Sequence, residues 1–341
     1  MLERCLTSDY DDLMAYVERI NRLNRVTACS LFVIHQDRIV AEYYSGEHAG
    51  RPTSAQSQFN VASVRKSYMG FAAAWALTSG AISSFDDLVV RYVTPISENA
   101  EALDGITIRH LLTHTHGLKR EAGQLVRRFE PGTAWDYNNE GIPILANVIE
   151  QATGRTIAEL VDELVLRPLE MRETGWRTAR TDQLVPVVEE GGLTWPLDSN
   201  ADGSEGNLFV SARELAYWGY LHLKLGRVNG RSIVPETVIR HAISIQSPSR
   251  LSTAYPRNGC LWLVKNALAD QCLIGRGVPD QSYGIVGIYG PLVLVVPELE
   301  LVVVRMANRL GNYEDEQGSY IDYLREFGDK AVQVERHKST I

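Results

Sequence analysis

Ser63 and Lys66 stand three residues apart in the stretch Phe59-Asn60-Val61-Ala62-Ser63-Val64-Arg65-Lys66-Ser67-Tyr68, just before an almost wholly apolar run from Met69 to Leu77. On a helix, positions i and i+3 share a face, so the Ser63 hydroxyl and the Lys66 amine can meet. If Ser63 opens that helix, its hydroxyl and backbone N–H also lie at the positive end of the helix dipole, which favours an alkoxide and offers a donor to an oxyanion. The run that follows has no polar face, so the helix is read as buried. It is too short for the roughly 20 apolar residues that span a bilayer. A lysine at the start of such a helix must be paired or give up its proton.

A serine nucleophile needs a base, an orienting group and oxyanion donors. Tyr137-Asn138-Asn139 supplies a tyrosine that a neighbouring ammonium can drive toward phenolate, ready to take the Ser63 proton. The glycine-punctuated stretch Tyr283-Gly284-Ile285-Val286-Gly287-Ile288-Tyr289-Gly290 lets another backbone come close, and the Ile288 N–H is the candidate second oxyanion donor. His110, His114 and His116 form H-x-x-x-H-x-H. No H-E-x-x-H pattern accompanies them, so they are read as capping and packing residues, with no metal expected.

The elements that must position these groups follow from periodicity. Apolar residues at Leu13, Met14, Val17, Ile20 and Leu23 predict a helix over 10–23. Two β-rich runs, 28–35 and 38–44, flank the polar link Gln36-Asp37 and predict a hairpin. From 84 to 207 the texture is helical with many loops. It includes a short helix over 107–113, helices over 141–153 and 156–165, and a long Gly/Asp/Ser/Asn-rich loop over 181–207 of the kind that lines a site. Helices are predicted over 211–225, with Ser211 as N-cap, and over 235–243. β texture returns over 260–264, 291–296 and 301–306, the last two joined through Pro297-Glu298-Leu299-Glu300, before a final helix over 319–335. Strands at both ends with helices between predict one sheet assembled from both termini. The expected fold is α/β, an antiparallel sheet flanked by helices with an inserted all-helical domain: residues 1–83 and 208–341 form the sheet domain, and residues 84–207 the helical one.

Composition narrows the setting. The chain has 341 residues, 45% apolar and 22% charged, with a net charge of −8. That is ordinary for a globular protein, and no basic block marks a nucleic-acid partner. Cys5, Cys29, Cys260 and Cys272 include no C-x-x-C pair, and the N-terminus lacks the basic-then-apolar pattern of a signal peptide, so a cytoplasmic location with reduced thiols is expected. No membrane partner is expected, and the oligomeric state is not legible.

Together these stretches resemble the serine β-lactamase-like, penicillin-recognising hydrolases, with the closer likeness to class C β-lactamases, family VIII carboxylesterases and 6-aminohexanoate-dimer hydrolase. Ser63-Val64-Arg65-Lys66 matches the first motif and Tyr137-Asn138-Asn139 the second. The framework stretches 107–118, 166–171 and 206–215 match as well, and the likeness runs from about residue 15 to 330. The resemblance implies an active site between a sheet domain and a helical domain. It implies Ser63 as acyl-accepting nucleophile, Lys66 and Tyr137 sharing the general-base role, the N–H groups of Ser63 and Ile288 as the oxyanion hole, and no cofactor.

One position departs from the pattern. The third motif usually begins with lysine or histidine, and here it reads Ile285-Val286-Gly287. Without a charge-assisted hydrogen bond worth roughly 1.5–3 kcal/mol, penicillins and peptidoglycan stems should be poor substrates. The expected function is therefore a serine hydrolase of carboxylic esters or linear amides, acting on a small-molecule substrate. A β-lactamase or D,D-peptidase would need a substitute cation, for which Arg276 is the candidate; an acyltransferase or a non-catalytic binding protein would use the same fold. Asn139, Tyr289, Asn207 and Trp135 are the candidate substrate contacts.

Overall fold

The computed structural model describes residues 2–93 and 100–338. Its main element is a nine-stranded sheet. From one edge the strands run Glu3–Arg4, Arg38–His48, Ala28–His35, Leu301–Met306, Leu292–Val296, Tyr283–Val286, Leu263–Val264 and Arg257–Asn258, with Arg51–Pro52 attached to Arg38–His48. Only Glu3–Arg4 pairs in parallel; its neighbours are antiparallel throughout. The sheet is thus closed by an N-terminal hairpin and a C-terminal meander that meet where Val33 pairs with Val303.

The central strands are buried on both faces because their sequences are nearly continuous in Val, Leu and Ile. Alternation splits them into two cores. Phe32, Ile34, Val293, Val295, Val302 and Val304 pack on one side with the helices Lys66–Thr78 and Ala212–Leu223. Leu31, Val33, Leu294, Val296 and Val303 pack on the other with Asp11–Leu23 and the C-terminal helix Tyr320–Lys338. The predicted hairpin link is present: Gln36 and Asp37 both take positive φ, 46° and 62°, as a tight hairpin turn with right-handed strand twist demands. Ser211 caps its helix as expected, accepting from the Glu214 N–H at 3.2 Å.

The apolar helix Lys66–Thr78 is buried along almost its whole length. It packs against the helices Gly141–Thr153, Ile157–Val161 and Glu236–Ile243. Gly70 also lets the chain at Cys260 approach this helix, since a Cβ there would lie 2.0 Å from the Cys260 carbonyl oxygen. Residues 84–207 carry helices together with two short hairpins, 118–127 and 187–194. Parts of this region also join a second, four-stranded sheet. In it Gln58–Asn60 pairs antiparallel with Leu208–Ser211 and parallel with Leu184–Val185, and Gly175–Trp176 adds to the far edge. That small sheet delivers the chain to Ser63. All four cysteines are free thiols. No helix among the described residues is long and apolar enough to cross a membrane.

Candidate active site

Ser63 lies on a single 3₁₀ turn, Ala62–Arg65, between the strand Gln58–Asn60 and the helix that begins at Lys66. It therefore precedes the helix rather than opening it. The turn is strained: Ala62 takes φ +46°, a left-handed conformation that costs a residue with a Cβ about 1–3 kcal/mol. Asn60, almost wholly buried, holds it there. Its Oδ1 accepts the Ala62 N–H at 2.8 Å, and its Nδ2 donates to the Gly206 carbonyl at 2.8 Å and that of Pro196 at 3.4 Å. The Val61 N–H is tied to the Leu208 carbonyl at 3.0 Å. One asparagine thus joins the Ser63 turn to the loop that faces it.

Lys66 is only 1% exposed. Its Nζ donates to the Tyr137 hydroxyl at 2.7 Å and sits 3.9 Å from the ring centroid. Burial, then the Arg65 charge, pull its pKa from 10.5 to about 7, so a large share of the amine is free of its proton near neutral pH.

Tyr137 is carried on the loop before the helix Gly141–Thr153. The Asp136 N–H donates to the His114 carbonyl at 3.0 Å. The Asn138 amide donates to the Leu118 carbonyl at 3.1 Å and to Asp136 Oδ2 at 2.9 Å, while its Oδ1 accepts the Glu140 N–H at 3.0 Å. The ring packs on His114, centroids 4.6 Å apart. Although 44% of Tyr137 is open to solvent, its hydroxyl meets a buried amine. Burial raises the phenol's pKa, while a hydrogen bond from Ser63 and the Arg65 charge pull it back down. The resting group at neutral pH is the phenol, not the phenolate anticipated from sequence, because desolvation outweighs the nearby positive charge. Lys66 is the member of the pair that titrates near neutrality.

The strand Tyr283–Val286 ends in a turn fastened by Gly287 N–H to the Pro291 carbonyl at 2.8 Å and Gly290 N–H to the Gly287 carbonyl at 3.0 Å. Gly287 lies against the Ser63 turn so closely that a Cβ would stand 2.4 Å from the Val61 carbonyl oxygen and 3.2 Å from the Ala62 Cβ. The carbonyl of Ile288 accepts the Gly311 N–H at 2.9 Å, whereas its own N–H meets no backbone acceptor among the described residues. An unengaged N–H beside a serine is the arrangement an oxyanion requires.

The other expected residues divide. Ile285 is buried, 4% exposed, in the core shared with Val61 and Val64, and brings no charge. Arg276 does not replace it: it is exposed, its charge acts on Asp322 of the C-terminal helix, and the adjoining Gly277 N–H is bound by Asp329 of that helix at 2.6 Å. Asn139 is exposed beside Tyr137 with no side-chain partner among the described residues, open to a substrate. Tyr289 is half-buried at the turn after Ile288. Trp135 spends its indole N–H on Asn258 Oδ1 at 2.9 Å. Asn207 is buried; its amide nitrogen donates to the Arg177 and Asn200 carbonyls, both at 2.9 Å, and so helps fix the facing loop, while its Oδ1 has no partner among the described residues.

The histidines are engaged locally. His110 completes the capping box with Thr107, His116 Nδ1 accepts the Leu118 N–H at 3.0 Å, and His114, held neutral by burial, supports the Tyr137 ring. Two residues escaped sequence reasoning, Asn60 and Arg65. Both lie inside the Ser63 stretch, and only their positions within it could have singled them out.

Comparison with known proteins bears on the family and the fold. The family model described as Beta-lactamase matches residues 15–324. An uncharacterized protein of Alkalihalophilus pseudofirmus is 40% identical, over 96% of this chain and 97% of that one. Esterase EstB of Burkholderia gladioli is 28% identical over 44% of this chain and 46% of its own. Among solved structures, EstCE1, a hydrolase with promiscuous acyltransferase activity, superposes with a TM-score of 0.71 at 20% identity, covering 94% of this chain and 98% of that one.

Proposed function

The chain belongs to the beta-lactamase family, whose members are hydrolases, and from that premise we propose that it is a serine hydrolase that forms an acyl-enzyme on Ser63 and acts on carboxylic esters or linear amides. The observation that carries this reading is the 2.7 Å contact between Lys66 Nζ and the Tyr137 hydroxyl, next to a Ser63 hydroxyl that lowers the phenol's pKa. Ser63 Oγ attacks the substrate carbonyl carbon. Its proton passes to the Tyr137 oxygen as the phenol proton passes to the uncharged Lys66 amine. The carbonyl oxygen, now negative, is met by the N–H groups of Ser63 and Ile288. Collapse expels the alcohol or amine, which takes the proton back through Tyr137. Water then repeats the sequence on the acyl-enzyme and releases the acid.

Ile285 favours this substrate class over β-lactams. At the position where relatives carry a cation, the wall is apolar, and Arg276 lies on the C-terminal helix side. A carboxylate on that flank of the substrate would be desolvated without a partner. The test is turnover of p-nitrophenyl butyrate and of nitrocefin by the protein and by Ser63→Ala, with intact-mass detection of the acyl adduct. Ester turnover and an adduct that both vanish in Ser63→Ala, with slow nitrocefin hydrolysis, are the expected results. Ester turnover that survives in Ser63→Ala would refute the reading.

A further inference from the structure

Arg65 sits on the Ser63 turn, between nucleophile and lysine, and the steps above do not use it. The residue is half-buried. Its one hydrogen bond is from Nη1 to the Met69 thioether at 3.3 Å, a weak acceptor. No carboxylate among the described residues comes within ion-pair distance. The carboxylate that acts on it is that of the exposed Glu205, and its own charge reaches both Lys66 and Tyr137. The guanidinium extends beneath the facing loop: a Cβ on Gly206 would meet nothing but Arg65 Nε, at 4.0 Å. Gly206 is the loop residue that faces the guanidinium, and it brings no Cβ to that approach. A guanidinium partly withdrawn from water, with no ion-pair partner among the described residues and most of its five donors unspent, is suited to bind an anion.

We propose that Arg65 is a specificity-determining residue that binds a free carboxylate on the acyl portion of the substrate, on the Gly206 side of Ser63, so that the preferred substrates are half-esters or half-amides of dicarboxylic acids. This rests on Ser63 being the acyl acceptor. The acyl side is chosen because the acyl group alone stays bonded to the turn that carries Arg65, so one contact serves both formation and hydrolysis of the acyl-enzyme. The site differs from the third-motif flank, where Ile285 offers nothing to a charge. A planar carboxylate matches the fork of a guanidinium, so lysine should be only a partial substitute.

The experiment compares kcat/KM for mono-p-nitrophenyl adipate with that for its methyl ester. The protein should prefer the acid by about tenfold to a hundredfold, as a charge-assisted hydrogen bond implies. Arg65→Met should bring the ratio to about one, whatever it does to the absolute rates. Arg65→Lys should keep part of the preference, and Glu205→Gln, which removes the competing carboxylate, should enlarge it. A ratio near one in the unaltered protein, or a preference that survives Arg65→Met in folded protein, would overturn the proposal. Calorimetric binding of monomethyl adipate to Ser63→Ala reads the same contact without turnover. An affinity that falls at least tenfold when Arg65→Met is added supports the proposal, and an equal affinity overturns it even if the ester assays succeed. Ester turnover that persists in Ser63→Ala refutes the hydrolase reading instead, and leaves the binding measurement to judge Arg65.

Discussion

The Lys66 amine lies 2.7 Å from the Tyr137 hydroxyl, and its pKa, lowered to about 7 by burial and by Arg65, differs from the phenol's, which burial raises. Two titratable groups in contact whose environments push their pKa values apart divide the acid and base work between them. On this geometry kcat/KM for an uncharged ester should rise as pH increases through about 7, where Lys66 loses its proton, and then level off. A pH–rate profile flat between 6 and 8 would contradict Lys66 as the final proton acceptor.

The same shift makes Lys66 a cost to the fold. Its folded pKa lies below its unfolded value of about 10.5, so between about 7 and 10.5 the unfolded chain binds more protons and stability rises with pH. Below about 7 the penalty is present in full, on the order of 5 kcal/mol at 1.36 kcal/mol per unit. Lys66→Met should lower kcat by about 10²–10⁴-fold, the worth of a positioned base. It should also raise the denaturant midpoint at pH 6, with the gain shrinking toward pH 10. Urea titrations at several pH values check this; a loss of stability at pH 6 would contradict it.

Gly287→Ala should damage catalysis more than folding. The added methyl would collide with the Val61 carbonyl at 2.4 Å and push the Ile288 turn away from Ser63. Removing one oxyanion donor costs about 10²–10³ in kcat. A drop of at least tenfold in kcat with near-unchanged circular dichroism is expected, and turnover close to that of the unaltered protein would show that Ile288 is not a donor.

Asn60→Ala removes the acceptor that holds Ala62 in its left-handed conformation and the donors that reach Gly206 and Pro196. A loss of about 1–3 kcal/mol in stability is expected, with a lower kcat because the Ser63 turn relaxes. Asn60→Asp keeps the acceptor and loses the donors, so it should retain more activity than Asn60→Ala. Steady-state kinetics on the two variants distinguishes the two roles.

The chemistry was more legible than its support. Ser63, Lys66 and Tyr137 were legible from motif spacing, because a nucleophile and its base each require a particular residue type, whereas Ile288, whose backbone N–H almost any residue could supply, was legible only through the glycines around it. The sheet was legible wherever a strand was long and apolar, as in Ala28–His35 or Leu301–Met306. The small sheet behind Ser63 was not: Leu184–Val185 and Gly175–Trp176 are two residues each, too short to show a period, and Leu184–Val185 falls in a stretch read as loop. The helix expected over 156–165 is α-helical only at Ile157–Val161 and widens into a π-turn over Asp162–Leu166, an irregularity that apolar spacing does not encode. The resting protonation of Tyr137 depended on burial, which a sequence states only indirectly. The roles of Asn60 and Arg65 lie in what they face, the carbonyl of Gly206 and the side of that glycine without a Cβ, which residue spacing does not encode.

The pairing of Ala28–His35 with Leu301–Met306 also sets a timetable. A ribosome exposes the nucleophile and the first hairpin well before the turn that carries Ile288 and the strand that completes the sheet. Until then the hairpin's inner edge is an unpaired, apolar template, the kind of surface on which nascent chains aggregate or recruit chaperones. Contacts so far apart in sequence also form slowly. A chain interrupted before Tyr283 would carry Ser63, Lys66 and Tyr137 yet lack the Ile288 N–H. Hydrolysis should therefore begin only once synthesis has passed the final strands, and the onset of activity in a cell-free translation would time the closure of the sheet.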